Sequence, residues 1–514
     1  MIRATRMCRF HWILLLLLAP TAARPASAAI KYQVSFEHPD KHNFHVTASV
    51  PAGGQDVVAA MPAWNALYQI RDFAYRVRGL EVAAPDGSKP DAQVPEELDK
   101  QTWLVCRCAS SKHSGEVTFE YSVEWNNPGP FDSQLDEHHA FLNLAEVLMY
   151  FPGRRNEPVE VQFRNVPAGW KLIAELREGA APDSFVAPNY DALVDAPVEA
   201  GKFDEFDFDN DGGHFRVAVD SRGYNKARLE SFLRPITGYE LRLMGGAPFK
   251  EYTFLLHIGP ASEAGEGGME HADSTAISAD SVEELMDLCA HEFFHAWNVK
   301  RIRPQALEPV NYRKEQYTRV LWFAEGVTST YAAYTLERTG LWSKEEFYAD
   351  LASQITDLQS RSARRWQSAE DSSLDAWLEK YPEYNAPNRS ISYYDKGQIL
   401  GVMLDLAIRD ATGNRKSLDD VMRLMNDEDA KAGKFYDGDK AIRAAVEKVA
   451  GADFGDFFDR YVAGVEEIPY DRFLSAAGLE LKPKAGAYSI VETSHPTDRQ
   501  RRILDGLLRG ITNP

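Results

Sequence analysis

His291, Glu292 and His295 make the pattern His-Glu-x-x-His, two histidines four apart with a glutamate beside the first. On a helix, positions i and i+4 share one face. Two imidazoles there can hold one tetrahedral Zn²⁺, and the adjacent carboxylate can reach a water on the open side of the metal. Together they supply a Lewis acid, a nucleophile of lowered pKa and a general base, which is what hydrolysis of a peptide bond requires. The bland alternative is a chance match, so the elements that must position these residues decide the matter.

The spacing of Ser281 and Glu284 predicts a capping box ahead of the apolar residues Leu285, Leu288 and Cys289. Pro304 sets the far limit of that helix, and nothing before it forbids helix through Trp297. Zinc needs a third protein ligand, with the fourth position left for water. Glu325 is the best candidate. The segment from Val320 to Leu336 holds good helix formers and no proline, so Glu325 is expected to project from a second helix. A lone helical glutamate usually lies on a solvated face, but Leu321, Trp322 and Phe323 crowd this one. A carboxylate held among such neighbours needs a partner, and a metal is the strongest available.

The stretch HEFFHAWNVKRIRP followed by LWFAEG resembles the glycyl aminopeptidase family of gluzincin metallopeptidases, related in its catalytic core to aminopeptidase N. The resemblance implies one Zn²⁺ per chain on His291, His295 and Glu325. The 30 positions from 295 to 325 exceed the interval of aminopeptidase N and fit the glycyl aminopeptidases, whose signature is the run Asn298 to Pro304. Gly267-Gly268-Met269-Glu270-His271 is similar to the G-x-M-E-N exopeptidase motif, with His271 in place of the usual Asn. It implies that Glu270 binds the free α-amine of the substrate and that Gly267 and Gly268 let an extended peptide approach. The physics agrees: a carboxylate selects a cationic amino terminus and glycine permits close backbone contact. Taken without the family, these residues are a glycine turn before a strand. Tyr394-Asp395-Lys396-Gly397 matches the family's Y-x-K-G, which implies that Tyr394 steadies the oxyanion of the tetrahedral intermediate. Tyr393 is adjacent; the order of the motifs favours Tyr394.

A chain of 514 residues predicts three or four domains. Residues 1–28 have the form of a secretory signal: Arg3, Arg6 and Arg9, an apolar run from Trp12 to Ala19, and Ala26-Ser27-Ala28 as a small-residue cleavage site. The expected mature protein starts near Ala29, has no transmembrane segment and works in the periplasm or secreted. Removal of Arg3, Arg6, Arg9 and Arg24 takes Lys plus Arg from 57 to 53 against 77 acids, a net charge of −24. So acidic a body argues against a nucleic-acid partner. Cys106, Cys108 and Cys289 remain, an odd number; Cys289 reads as a buried small hydrophobe, and the other two as a strained disulfide or free thiols.

Alternation of apolar residues (Tyr32, Val34, Phe36; Val117 to Trp125; Val159 to Phe163) predicts a β-rich amino-terminal domain over 29–205, walling one side of the cleft. Asp207 to Gly212 imitates the start of a calcium loop, but Ala218 stands where a bidentate Glu is required, leaving an acidic turn. The fold class is α+β and multidomain. A zinc catalytic domain, thermolysin-like by the resemblance, is expected over 206–342, an all-helical domain over 343–480 with Ser343 and Glu346 capping its first helix, and a carboxy-terminal tail over 481–514. The PDZ domain common in the family is expected to be missing or vestigial. The function these residues imply is a zinc aminopeptidase acting on peptides with a free amino terminus, the family favouring Gly or Ala there. The alternatives are an endopeptidase using the same zinc site and an inactive peptide-binding scaffold.

Overall fold

The computed structural model describes residues 30–51, 55–65, 67–83, 94–105, 116–378 and 386–512. The signal segment, Cys106 and Cys108 lie outside the described residues. The expected alternation is realised in the amino-terminal region. Strand Ile30–His38 pairs in parallel with Val159–Arg164 and antiparallel with Asn43–Pro51, which in turn pairs with Glu116–Glu124. Tyr32, Val34, Phe36, Val117, Phe119, Tyr121, Val123, Val159, Val161 and Phe163 all point into one buried core, as period-two patterning requires. They belong to a seven-stranded sheet; beside it stands a four-stranded sheet that includes His139–Leu142 and Val198–Gly201.

The five-stranded sheet that follows runs, in space, Asp204–Asn210, Gly213–Ser221, Glu251–Ile258, Ser274–Ala279, Gly267–Glu270. Its first hairpin turns through Asp211 (φ 43°) and Gly212 (φ 85°), the Asp-Gly type I′ geometry that matches strand twist. The residues that mimic a calcium loop are therefore mostly strand, with Phe206 and Phe208 buried. Gly267–Glu270 is itself the antiparallel edge strand, not a turn before one.

The metal helix spans Leu285–Phe294. The capping box expected from Ser281 does not form: Glu284 is the N-cap, with no side-chain hydrogen bond, and residues 282–284 make turns. The helix is instead held by burial of Leu285, Cys289, Ala290, Phe293 and Phe294, with Phe294 stacked on Tyr331 at 4.3 Å between ring centroids. Cys289 is fully buried, as expected. The helix also stops short of Trp297: His295 is its C-cap.

The Ser343–Glu346 capping box does form, at the start of Lys344–Ser360. Residues 481–514, expected as a tail, are in part folded onto the body. Leu479–Lys484 and Ala487–Glu492 make a hairpin, and Asp498–Arg509 is a helix whose Ile503 and Leu507 are buried. Buried Arg338 donates from Nε to the Leu507 carbonyl at 3.0 Å, and buried Arg409 to the Ile511 carbonyl at 3.0 Å. These guanidiniums are also paired with Asp419 and Asp405, and removing one partner of such a buried pair costs about 3–5 kcal/mol. One apolar core runs from Phe206 to Leu507, so the five-stranded sheet, the metal helix and the carboxy-terminal helices pack as one body. Among the described residues no helix is long and apolar enough to cross a membrane.

Candidate metal centre and active site

The three expected ligands meet. His291 Nε2 lies 3.0 Å from His295 Nε2, and Glu325 Oε2 lies 3.6 Å from the first and 3.2 Å from the second. A tetrahedral ion with ligands at about 2.0–2.1 Å sets its donors about 3.3 Å apart, so this triangle has the edges of a zinc site. The other ring nitrogens are held from behind. His295 Nδ1 is 2.5 Å from the Asn298 carbonyl oxygen, and His291 Nδ1 is 3.3 Å from Ser329 Oγ, which donates to the Glu325 carbonyl at 3.2 Å. With Nδ1 donating in each ring, both Nε2 lone pairs face the metal position, the usual way a protein fixes a ligand tautomer.

Glu325 reaches this place by a backbone device that local patterning hides. Trp322–Val327 is a turn of π-helix, continuing into the α-helix Thr328–Arg338. The wider winding leaves carbonyls free, and Asn298 Nδ2 donates to that of Phe323 at 2.9 Å and to Thr328 Oγ1 at 3.1 Å. Asn298 thus both fixes His295 and props the turn that carries the third ligand. Gly326 is required because a Cβ there would collide with the Gly397 backbone and lie 2.8 Å from the Tyr393 carbonyl oxygen, where the helix Tyr393–Thr412 crosses. Glu325 is 4 % exposed. Burial raises its carboxyl, but the His295 charge and the hydrogen bonds of both histidines outweigh it and hold the group below the ordinary range.

Glu292 stands on the same helix one residue after the first ligand, 5 % exposed, and its Oε2 has no hydrogen-bond partner among the described residues. A buried carboxylate oxygen with an open lone pair is positioned to take a proton from a water or substrate. Burial pushes this carboxyl up to about 8; His295 opposes, and Glu270 and Glu325 push it further. The edge strand fits tightly over it. A Cβ on Gly268 would come within 2.6 Å of Glu292 Cγ and Cδ, so the bare face of this glycine is occupied by the glutamate itself. Gly267, at φ 109°, would meet the Phe131 ring at 2.8 Å. Glu270 ends the strand with a carboxylate oxygen that, like Glu292 and His295, has its donor atom within 4.8 Å of the other two.

Tyr394 begins the helix Tyr393–Thr412, whose N-cap Ser392 accepts from the Asp395 amide. Its ring is tilted over His291 at 6.1 Å and stacks on Tyr393 at 4.7 Å. Both tyrosines line the same cavity, but Tyr394 is 38 % exposed and Tyr393 only 5 %. The eight expected site residues are therefore together, except that Gly267 contacts Phe131 and is not among the residues lining the cavity.

Sequence reading missed the opposite wall. The cavity holds about 130 Å³ and is closed by Leu67, Tyr68, Gln69 and Phe131 of the amino-terminal region, with Ala376. These sit in irregular segments that carry no periodicity or motif. Arg71 fixes Phe131 by donating to its carbonyl at 2.5 Å while pairing with Asp132 and, at 3.0 Å, with fully buried Glu146. Ser133 Oγ donates to the other Glu146 oxygen at 2.8 Å. Asn298 and Ser329 as props of the ligands were also missed, although Asn298 stands inside the signature run.

Residues 31–202 match the family model described as the peptidase M61 N-terminal domain, and residues 284–400 the model described as M61 glycyl aminopeptidase. Among solved structures, an aminopeptidase N family protein from Idiomarina loihiensis is 27 % identical at a TM-score of 0.82, over 88 % of this chain and 79 % of that one. An M1 zinc metallopeptidase from Deinococcus radiodurans is 14 % identical at 0.50, over 86 % and 94 %. Aminopeptidase A from Legionella pneumophila is 13 % identical at 0.51, over 85 % of this chain and 49 % of that one. At the last two identities the likeness is one of fold. No curated protein matches the chain.

Proposed function

We propose that this chain, which belongs to the M61 family of glycyl aminopeptidases, removes small amino-terminal residues from peptides outside the cytoplasm, using one catalytic Zn²⁺ on His291, His295 and Glu325. It is a zinc aminopeptidase. The observation that carries the finer reading is the pair of extra carboxylates, Glu270 and Glu292, facing the triad across so small a cavity. Bound to the triad, Zn²⁺ supplies Lewis acidity and a water of lowered pKa. Glu292 takes the proton from that water as it attacks the first peptide carbonyl, then returns it to the leaving amine. Glu270 anchors the α-amine, and Tyr394 donates its hydroxyl proton to the oxygen that becomes negative.

Two features support a small first residue. The cavity has space for about 130 Å³, and Tyr68 and Phe131 wall it with fixed aromatic rings. The solved M1 enzyme of D. radiodurans has also been captured with a Tyr-Ser-Ala substrate, which supports peptides as the substrate class. The basic, apolar and small-residue pattern of residues 1–28 supports export, with Ala29 as the expected first residue of the mature protein, read by amino-terminal sequencing.

The exopeptidase reading rests on Glu270. An α-amine is a point cation, and its attraction to Glu270 admits only the first peptide bond to the zinc triad. Unblocked Gly- or Ala-initiated peptides are expected to be cleaved, and their N-acetylated forms scarcely at all. Glu270→Ala should raise KM and lower kcat, because lost anchoring also misplaces the scissile carbonyl, with zinc content unchanged. Equal rates on free and acetylated peptides would instead make this an endopeptidase.

Tyr394→Phe removes one hydroxyl. Since its bond is made mainly in the transition state, kcat should fall about 10²–10³-fold with KM little altered. A loss of that size in Tyr393→Phe, with Tyr394→Phe unaffected, would transfer the role to the neighbour.

A further inference from the structure

Behind the catalytic sheet a second group of metal-type ligands meets, made from both halves of the chain: His139, Glu199 and His257. Along strand Glu251–Ile258, Phe254, Leu256 and Ile258 face the core shared with the metal helix. Leu255 and His257 alternate to the other face. There the four-stranded sheet of the amino-terminal region packs against it through Phe141, Ile173, Ala218, Leu255 and Ala276. In that sheet His139 pairs with Gly201 and Phe141 with Glu199, so His139, Phe141 and Glu199 share one face. The Phe141 ring meets His257 edge-on at 5.1 Å, and the two histidine rings lie 5.7 Å apart.

One donor atom from each of the three lies within 4.8 Å of the others, and the residues are only 8 %, 2 % and 4 % exposed. Glu199 Oε2 is 2.8 Å from His257 Nε2, but Glu199 Oε1, equally buried, has no hydrogen-bond partner among the described residues. Leaving a carboxylate oxygen desolvated and unpaired is unfavourable, and proteins rarely do so without a ligand for it. The rings are supported as in the zinc triad. His257 Nδ1 is 3.4 Å from Ser278 Oγ, and His139 Nδ1 is 3.7 Å from Asp220 and 3.8 Å from Asp136. A cleft of about 740 Å³ bordered by His139, Asp220, His257 and Asp280 gives an ion a way in.

We propose that His139, Glu199 and His257 form a second binding site for a divalent transition-metal ion such as Zn²⁺ or Co²⁺, joining the amino-terminal region to the back of the catalytic sheet. Two imidazoles and a carboxylate suit such ions and not Mg²⁺ or Ca²⁺, which take oxygen ligands. Binding shifts the His257 proton from Nε2 to Nδ1, where Ser278 Oγ accepts it, and Nε2 becomes a ligand. The donors are spread more widely than the 3.0–3.6 Å of the zinc triad, so they must close on the ion, and the site is the weaker of the two.

The test uses the full chain with the triad emptied by His291→Ala and His295→Ala. Titration with Co²⁺, followed by its visible d–d absorption and by equilibrium dialysis, should still give one bound ion per chain. Adding Glu199→Gln should weaken that binding at least about tenfold. No binding at millimolar Co²⁺ in the first variant overturns the proposal, as does binding that Glu199→Gln leaves unchanged. If circular dichroism shows the Glu199 variant unfolded, His139→Gln, at the edge of the cleft, replaces it under the same two criteria. Crystals of the unsubstituted chain grown with Zn²⁺ give an independent reading. An anomalous peak among His139, Glu199 and His257 is expected, and a peak at the triad alone would overturn the site.

Discussion

Glu292→Gln is expected to bind zinc as the unsubstituted chain does and to turn over peptides slower by several orders of magnitude. The variant keeps the shape and burial of the side chain, so the helix Leu285–Phe294 and its two histidines have no reason to move. What it loses is the ability to accept a proton. The carboxyl is poised for that exchange: burial pushes it up to about 8, within reach of working pH, with His295 opposing and Glu270 and Glu325 adding to the shift. General acid–base catalysis alone contributes about 10²–10⁴-fold, and here one group serves both halves of the reaction. Metal analysis and kcat on an unblocked Ala peptide read the two outcomes separately. Near-normal turnover would remove Glu292 from the mechanism.

Glu325→Ala should abolish metal binding and activity together. In the folded chain this carboxylate closes the triangle with His291 and His295, and both imidazoles hold it ionised against burial. Truncation leaves two imidazoles 3.0 Å apart with no third donor within reach except the Glu270 and Glu292 carboxylates, which face His295 and serve other purposes. Structural zinc sites of three or four protein ligands lose most of their affinity with one ligand gone. Thermal unfolding with and without added zinc offers a second reading. The unsubstituted chain should gain stability from the metal, and the variant should not. Stoichiometric zinc in the variant would exclude Glu325 as the third ligand.

The sequence was most legible where chemistry and local geometry coincide. The i, i+4 histidines fall on one helical face whatever surrounds them, and the alternation from Tyr32 to Phe36 and from Val117 to Val123 survives as buried strand faces. It was less legible where tertiary contacts override a local signal. Ser281 and Glu284 have the spacing of a capping box, yet the chain turns through 282–284 and the helix begins later, held by Leu285 and Phe293 in the core. Val320 to Leu336 reads as plain α-helix, because nothing in its composition distinguishes a π turn from an α turn. The π turn depends on Asn298 reaching from another segment to the Phe323 carbonyl, and on Gly326 meeting Gly397. Arg499 to Arg509 reads as a solvated basic helix, since its burial depends on Arg338 and Arg409 far earlier in the chain.

By itself the sequence determined the donor set and its order, two imidazoles and three carboxylates with a tyrosine following, because ligand identity and helical spacing are local properties. Only the tertiary structure decided that these groups share a cavity of about 130 Å³, that Phe131 and Tyr68 wall it, and that His139, Glu199 and His257 meet behind it. Those neighbours come from separate sheets, and no short-range period records which of two faces will pack together. Close approach of backbones, at Gly268 over Glu292 and at Gly326 on Gly397, fixes those distances, and it is a property of the packed body and not of any one segment.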